Sequence, residues 1–226
     1  MAKISALISA YYAKNYLAQR VLNLFGQKSK TLDVELVIVC QQDSVEDQIA
    51  SIYNAKVIRT PNIPTLGTAW NIAIEHSTGD YLTTANTDDL FIIGGLERMA
   101  GVLDEHPEIG LVFSQVDIND GYDITPWRRI ANGTGEVKNI KGILSERCII
   151  GSMPLWRRSI HDEIGLFNKK HVVAADYDMW LRMAKAGVRF WYISDSCGIY
   201  RKRLDSLEYR NKSLSAAEAQ AIRGMI

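Results

Sequence analysis

The chain has 226 residues, with 26 Lys plus Arg against 26 Asp plus Glu and a formal net charge of zero. Hydrophobic residues make up 47% and charged residues 23%, which excludes a disordered chain and a nucleic-acid binder acting through bulk positive charge. No apolar run approaches the roughly 20 residues that span a bilayer, and Cys40, Cys148 and Cys197 are too scattered for a disulfide framework or a zinc ribbon. The expectation is one α/β domain in a reducing cytoplasm, without a signal peptide.

Residues 4–9 and 34–40 read as buried strands, short, β-branched and bounded by polar turns. Between them Leu17, Val21, Leu22, Leu24 and Phe25 recur at a helical period. A strand at 56–59 closes on Thr60-Pro61, and a helix opens near Gly67-Thr68 and runs to His76. Strand 81–84, helix 96–103 and strand 110–116 follow. This β-α-β spacing predicts a mostly parallel sheet with helices on both faces. Residues 119–142 are turn-rich and are expected to lie over the sheet or line a cleft. A strand at 152–157, helices at 159–164 and 177–186, and strands at 188–193 and 198–203 complete the pattern. The polar tail from Leu204 reads as a helix or a frayed end.

A parallel α/β sheet binds its ligand beyond the carboxyl ends of its strands. The turn Ser9-Ala10-Tyr11-Tyr12 carries no G-x-G-x-x-G, and P-loop and G-x-S-x-G motifs are also absent. The four histidines have no metal or triad spacing. Asn86-Thr87-Asp88-Asp89 stands at the end of strand 81–84, where adjacent carboxylates can approach one Mg²⁺ or Mn²⁺, or instead form an Asx-turn or a helix cap. Asp176-Tyr177-Asp178 opens the helix at 177–186. There Asp176 is a cap or a general base, and Asp178 is four residues before Arg182, at ion-pair spacing.

In order and spacing, these segments resemble the family 2 glycosyltransferases. The resemblance runs from about Lys3 to Arg203. It takes in residues 6–12 and 36–44, Gly67-Thr68-Ala69-Trp70-Asn71, residues 78–82, and Asn86-Thr87-Asp88-Asp89. Pro154-Leu155-Trp156-Arg157, Gly165-Leu166-Phe167 and residues 176–182 continue it.

The resemblance implies a GT-A type, Rossmann-like three-layer α/β sandwich forming a single domain over 1–226: a donor half over 1–116, an acceptor half over 117–203 and a tail over 204–226. It implies sugar transfer with inversion from a nucleotide-sugar, a UDP-sugar first among candidates, to a carbohydrate or glycolipid hydroxyl in surface polysaccharide or glycoconjugate synthesis. Ser9, Tyr11, Asp43, Asn71, Thr87 and Asp88 would bind the donor, and Asp88 and Asp89, at the D-x-D position, a divalent Mn²⁺ or Mg²⁺. Asp176 would be the base, and Trp156 and Asp178 would meet the acceptor, although Trp156 reads equally well as a core aromatic. Asn86, Trp70 and Ala175 depart from the family pattern, which bears on metal and donor binding. Peripheral contact with a membrane and a homo-oligomer are compatible with this reading. Its rivals are a non-catalytic sugar- or nucleotide-binding relative and, lower, a nucleotidyltransferase, whose Gly-rich phosphate loop is missing.

Overall fold

The computed structural model describes residues 2–62, 65–127 and 133–224. Strands β1 (Ala2–Ala10), β2 (Leu32–Gln41), β3 (Lys56–Thr60) and β4 (Tyr81–Thr84) alternate with helices α1 (Leu17–Phe25), α2 (Val45–Ala50) and α3 (Leu66–His76). Next come β5 (Leu90–Phe91), α4 (Gly95–Glu105), β6 (Ile109–Asn119), β7 (Ile124–Trp127), β8 (Gly135–Glu136) and α5 (Ile140–Glu146). The chain continues through β9 (Leu155–Arg157), α6 (Ile160–Ile164), α7 (Ala175–Lys185), β10 (Arg189–Arg201), α8 (Leu207–Arg210) and α9 (Lys212–Arg223).

All these strands join one sheet, in the order β3-β2-β1-β4-β9-β6-β10-β5, with β7 on β6 and β8 on β10. The ladders among β3, β2, β1 and β4 are parallel, as is that between β6 and β10. The short β9 runs antiparallel between the two sets. Most paired residues therefore lie in parallel ladders, as the β-α-β spacing predicts.

Burial on both faces explains the near-continuous apolar runs of β1 and β2. Ile4, Ala6 and Ile8 join one core with Leu17, Val21 and Leu24 of α1 and Leu96, Met99 and Leu103 of α4. Leu7, Val37 and Val39 point the other way, into a second core with Ala69, Trp70 and Ala73 of α3 and Trp180, Leu181 and Met183 of α7. The period-two alternation of a strand thus produces the three layers.

Three details differ from the sequence expectation. The strands expected at 188–193 and 198–203 are one strand, β10, whose register shifts at Ile193/Ser196 and Ser196/Gly198 let it bulge and stay paired with β6. The helix α2 was not foreseen; Ser44 caps it, its side chain accepting from the Asp47 N–H at 3.1 Å. The turn-rich stretch contains β7 and β8, which extend the sheet. Its residues 128–132 lie outside the described residues. No helix among the described residues is long and apolar enough to cross a membrane.

Candidate active site

A cleft of about 1030 Å³ opens beyond the carboxyl ends of β1 and β4. Part of the lining comes from Ser9 at the end of β1, from Tyr11 and Tyr12 in the turn that follows, and from Asn86 to Asp89 after β4. The loop after β1 is pinned from α2, because Glu46 Oε1 accepts the N–H groups of Ala13 at 2.8 Å and Lys14 at 3.0 Å. The rest of the lining comes chiefly from the start of α7, with Asp176 and Tyr177, and from the tail between Arg203 and Arg223.

The structure brings Ser9, Tyr11, Thr87, Asp88, Asp89 and Asp176 to this cleft. Asp176 lies in the first turn of α7, which begins at Ala175 with Ala174 at the cap position and no side-chain cap. Its Oδ1 accepts the Tyr177 N–H at 2.8 Å. Asp176 thus sits inside the first turn and not at the cap position, one of the two places the sequence left open to it, and the approach to α7 is held by a distant group. Glu218 of α9 accepts the N–H groups of Val172, Val173 and Ala174 at 2.7, 3.0 and 2.9 Å. Burial works to raise the Glu218 pKa, but the three backbone donors outweigh it and hold the carboxyl below its usual range.

Four other expected site residues sit elsewhere. Trp156 is fully buried and packs edge-on against Trp180, ring centroids 5.2 Å apart, with its Nε1 donating to His161 Nε2 at 3.0 Å. Both its apolar and polar parts are consumed in the core, so it offers no face to an acceptor. Asn71 is buried and locks onto the Phe167 backbone, accepting from its N–H and donating to its C=O, both at 2.9 Å. Asp178 is buried and pairs with Arg182 at 2.8 Å, the i,i+4 bridge open to it from the sequence. Asp43 is exposed in the turn after β2, outside the residues that line the cleft. Its φ of 59° is the left-handed conformation of a tight turn, and its N–H donates to Asp47.

Adjacent carboxylates at the end of β4 were expected to share one cation, and the donor set does not fit that arrangement. Asp88 faces the cleft, where its Oδ2 accepts from Arg203 Nη1 at 3.0 Å. Asp89 is fully buried, with its Oδ1 accepting the Arg201 N–H at 3.1 Å. Burial and then the charge of Asp88 push the Asp89 carboxyl up to about 6. Behind it lies the fully buried Arg20, brought down to about 10 by burial and held up by Asp89 and Asp88. Among the described residues no three His, Cys, Asp or Glu side chains are grouped to hold a metal.

Sequence reasoning missed Glu46, Arg20, Arg203 and Glu218. Arg20 left one trace, a charge three residues from Leu17 within the apolar stripe of α1. Trp70, flagged as a departure, lines the cleft, and its Nε1 has no hydrogen-bond partner among the described residues.

The family described as Glycosyl transferase family 2 matches residues 5–165. The chain is 22% identical over 228 residues to EpsE of Bacillus subtilis (strain 168), whose own glycosyltransferase assignment is provisional; the match covers 97% of this chain and 80% of EpsE. It is 21% identical over 230 residues to an uncharacterized glycosyltransferase of Haemophilus influenzae, covering 96% of this chain and 82% of that one. Among solved structures, S. aureus TarS 1-349 in complex with UDP-GlcNAc superimposes with a TM-score of 0.75 at 21% identity, over 89% of this chain and 59% of that one. The chain thus spans under two thirds of that fragment, and the likeness speaks for the fold. With most of its length inside the family match, the chain belongs to the family 2 glycosyltransferases.

Proposed function

We propose that the protein transfers a sugar, with inversion, from a nucleotide-sugar to a hydroxyl of a carbohydrate or glycolipid acceptor, with a UDP-sugar as donor. The observation that carries this is the convergence of Asp88 and Asp176, distant in sequence, on one cleft at the carboxyl edge of the parallel strands. The UDP-GlcNAc held by the TarS fragment of like fold supports the donor class.

In this reading Ser9 and Tyr11 contact the nucleoside, with Asp88 and Thr87 accepting hydrogen bonds from the donor's hydroxyls. The acceptor oxygen attacks the anomeric carbon as the bond to the diphosphate oxygen breaks and its electron pair leaves with the nucleoside diphosphate. Asp176 takes the acceptor proton. No covalent enzyme intermediate forms, so one displacement inverts the configuration.

The test is turnover of a UDP-sugar panel, followed by UDP release, in wild type and Asp176→Asn. Loss of a proton-transfer group predicts a fall of roughly 10²–10⁴-fold in turnover with nucleotide binding retained. Tight nucleotide binding by the wild type without turnover of any donor or acceptor would instead favour the non-catalytic relative.

A further inference from the structure

The leaving group of the proposed reaction is a nucleoside diphosphate, and its growing negative charge must be balanced in the cleft. We propose that Arg203 is a catalytic residue that provides this balance itself, standing at Asp88 where a divalent cation would otherwise sit, so that donor binding needs no metal. This rests on the nucleotide-sugar reading above.

The geometry around Arg203 is that of a held cation. Its Nη1 donates to Asp88 Oδ2 at 3.0 Å. Its Nε and Nη2 form a fork on Asp205, at 2.8 and 2.7 Å. The guanidinium carbon lies 4.0 Å from the ring centroid of Tyr16, and the side chain is only 14% exposed. Burial works to lower its pKa, but Asp205 and Asp88 prevail and raise it, so the group is charged at every physiological pH.

A guanidinium carries five N–H donors in a planar fork. Asp88 and Asp205 account for three of them. One N–H on Nη1 and one on Nη2 are left over, on a group that lines the cleft. Two N–H groups of one planar cation suit two oxygens of a phosphate.

The carboxylates point to the same conclusion. A cation shared by Asp88 and Asp89 would need both side chains to be open to it, yet Asp89 is fully buried: its Oδ1 accepts the Arg201 N–H, and its Oδ2, though left without a hydrogen-bond partner among the described residues, is closed to solvent. One oxygen of Asp88 is already committed to Arg203. Five basic side chains, Lys14, Arg147, Arg203, Arg210 and Arg223, line the cleft beside six carboxylates, Glu46, Asp88, Asp89, Asp176, Asp205 and Glu208. The cleft is therefore not basic as a whole, and positive charge for an anionic donor has to come from individually placed groups, of which Arg203 is held at Asp88. As the bond from the anomeric carbon to the β-phosphate oxygen breaks, its electron pair moves onto that oxygen, and Arg203 donates hydrogen bonds to it. The acceptor proton passes to Asp176.

The experiment is calorimetric titration of the full chain with UDP, GDP, ADP, CDP and dTDP, each in EDTA and in Mn²⁺. For the wild type, the dissociation constant of the nucleotide that binds should agree within about threefold between the two buffers, a difference under 1 kcal/mol. Arg203→Gln should weaken it by about tenfold or more in EDTA, the loss of one charge-assisted contact, and Arg203→Lys should recover part of that loss. A wild-type affinity that rises about tenfold in Mn²⁺ and collapses in EDTA overturns the proposal and leaves the donor class standing. So does an Arg203→Gln protein that binds as the wild type does. If Arg203→Gln does not fold, the wild-type comparison and Arg203→Lys decide. Binding of none of the five nucleotides overturns the donor reading, and the proposal with it.

Discussion

The two sides of the cleft are built by different physics. Ser9 to Tyr12 and Asn86 to Asp89 hang from β1 and β4, where β1 is paired in parallel on both edges and Ile4, Leu7 and Ile8 are fully buried. The tail has little apolar burial: α8 buries no residue, and α9 buries only Glu218 and Ile222. It is held by the carboxylate of Glu218 on three backbone N–H groups, by Ile222 in the core beside α7, and by Arg203 on Asp88. A side distributed over dozens of apolar contacts tolerates the loss of one. A side hung from a few polar contacts does not, and so it is the one a single substitution can move.

The largest expected effect lies in the apolar core that stands behind both sides, where Trp156 packs with Leu7, Leu82 and Ile222 in one cluster. Trp156→Ala removes a fully buried aromatic from the layer joining β9 to α7, and the expected cost is about 3–5 kcal/mol of stability, read by urea or thermal unfolding. An unchanged melt accompanied by a raised acceptor KM would return Trp156 to the acceptor role first expected of it.

Glu218→Gln tests the tail alone. Replacing an ionised acceptor of three backbone N–H groups should cost about 2 kcal/mol at neutral pH, read by hydrogen exchange over residues 172–174 and 203–223. The sign with pH follows from the lowered carboxyl. The stabilisation is fully present above the unfolded value of about 4.3 and is lost as pH falls through the folded value. The wild-type tail should therefore loosen in acid below about pH 4, and the variant should lack that acid step. Equal exchange at neutral pH in the two proteins would show that the tail is held by something else.

Asn71→Ala sharpens the contrast from the other side. It removes the two bonds that tie α3 to the Phe167 backbone, at about 1–3 kcal/mol, while the dissociation constant for nucleotide should stay within about threefold. A selective loss of affinity would place Asn71 back among the donor contacts. The smallest effect belongs to Asp43→Asn, an exposed residue outside the cleft lining. A change in nucleotide affinity of less than about threefold is expected, and a tenfold loss in calorimetry would reinstate Asp43 as a base-binding group.

Legibility in the sequence follows the same division. The strands β1, β2 and β4 and the helices α1, α3 and α7 showed through because burial imposes a period on their residues. Asp88 and Asp176 were legible because they fall at the end of a strand and at the start of a helix. The turn-rich residues 119–142 were expected to lie over the sheet or line a cleft, yet none of those described lines it, and β7 and β8 extend the sheet instead. The tail does line it. Its residues are polar and carry weak periodicity, so nothing local told that Glu218 would cap the approach to α7 or that Arg203 would find Asp88.

By itself the sequence determined the layered α/β class, the succession of strands and helices that makes most of the sheet parallel, the family resemblance, and which carboxylates stand near strand and helix ends. These are local properties, set by the repeat of buried side chains and by the chemistry of turns. Only the tertiary structure decided that Asp89 is fully buried at the cleft while Asp88 meets Arg203, that Trp156 is core, and that the tail lines the cleft. Those outcomes depend on which charged groups meet after folding. Burying a charge is costly unless a partner arrives with it, and the partners here come from far along the chain.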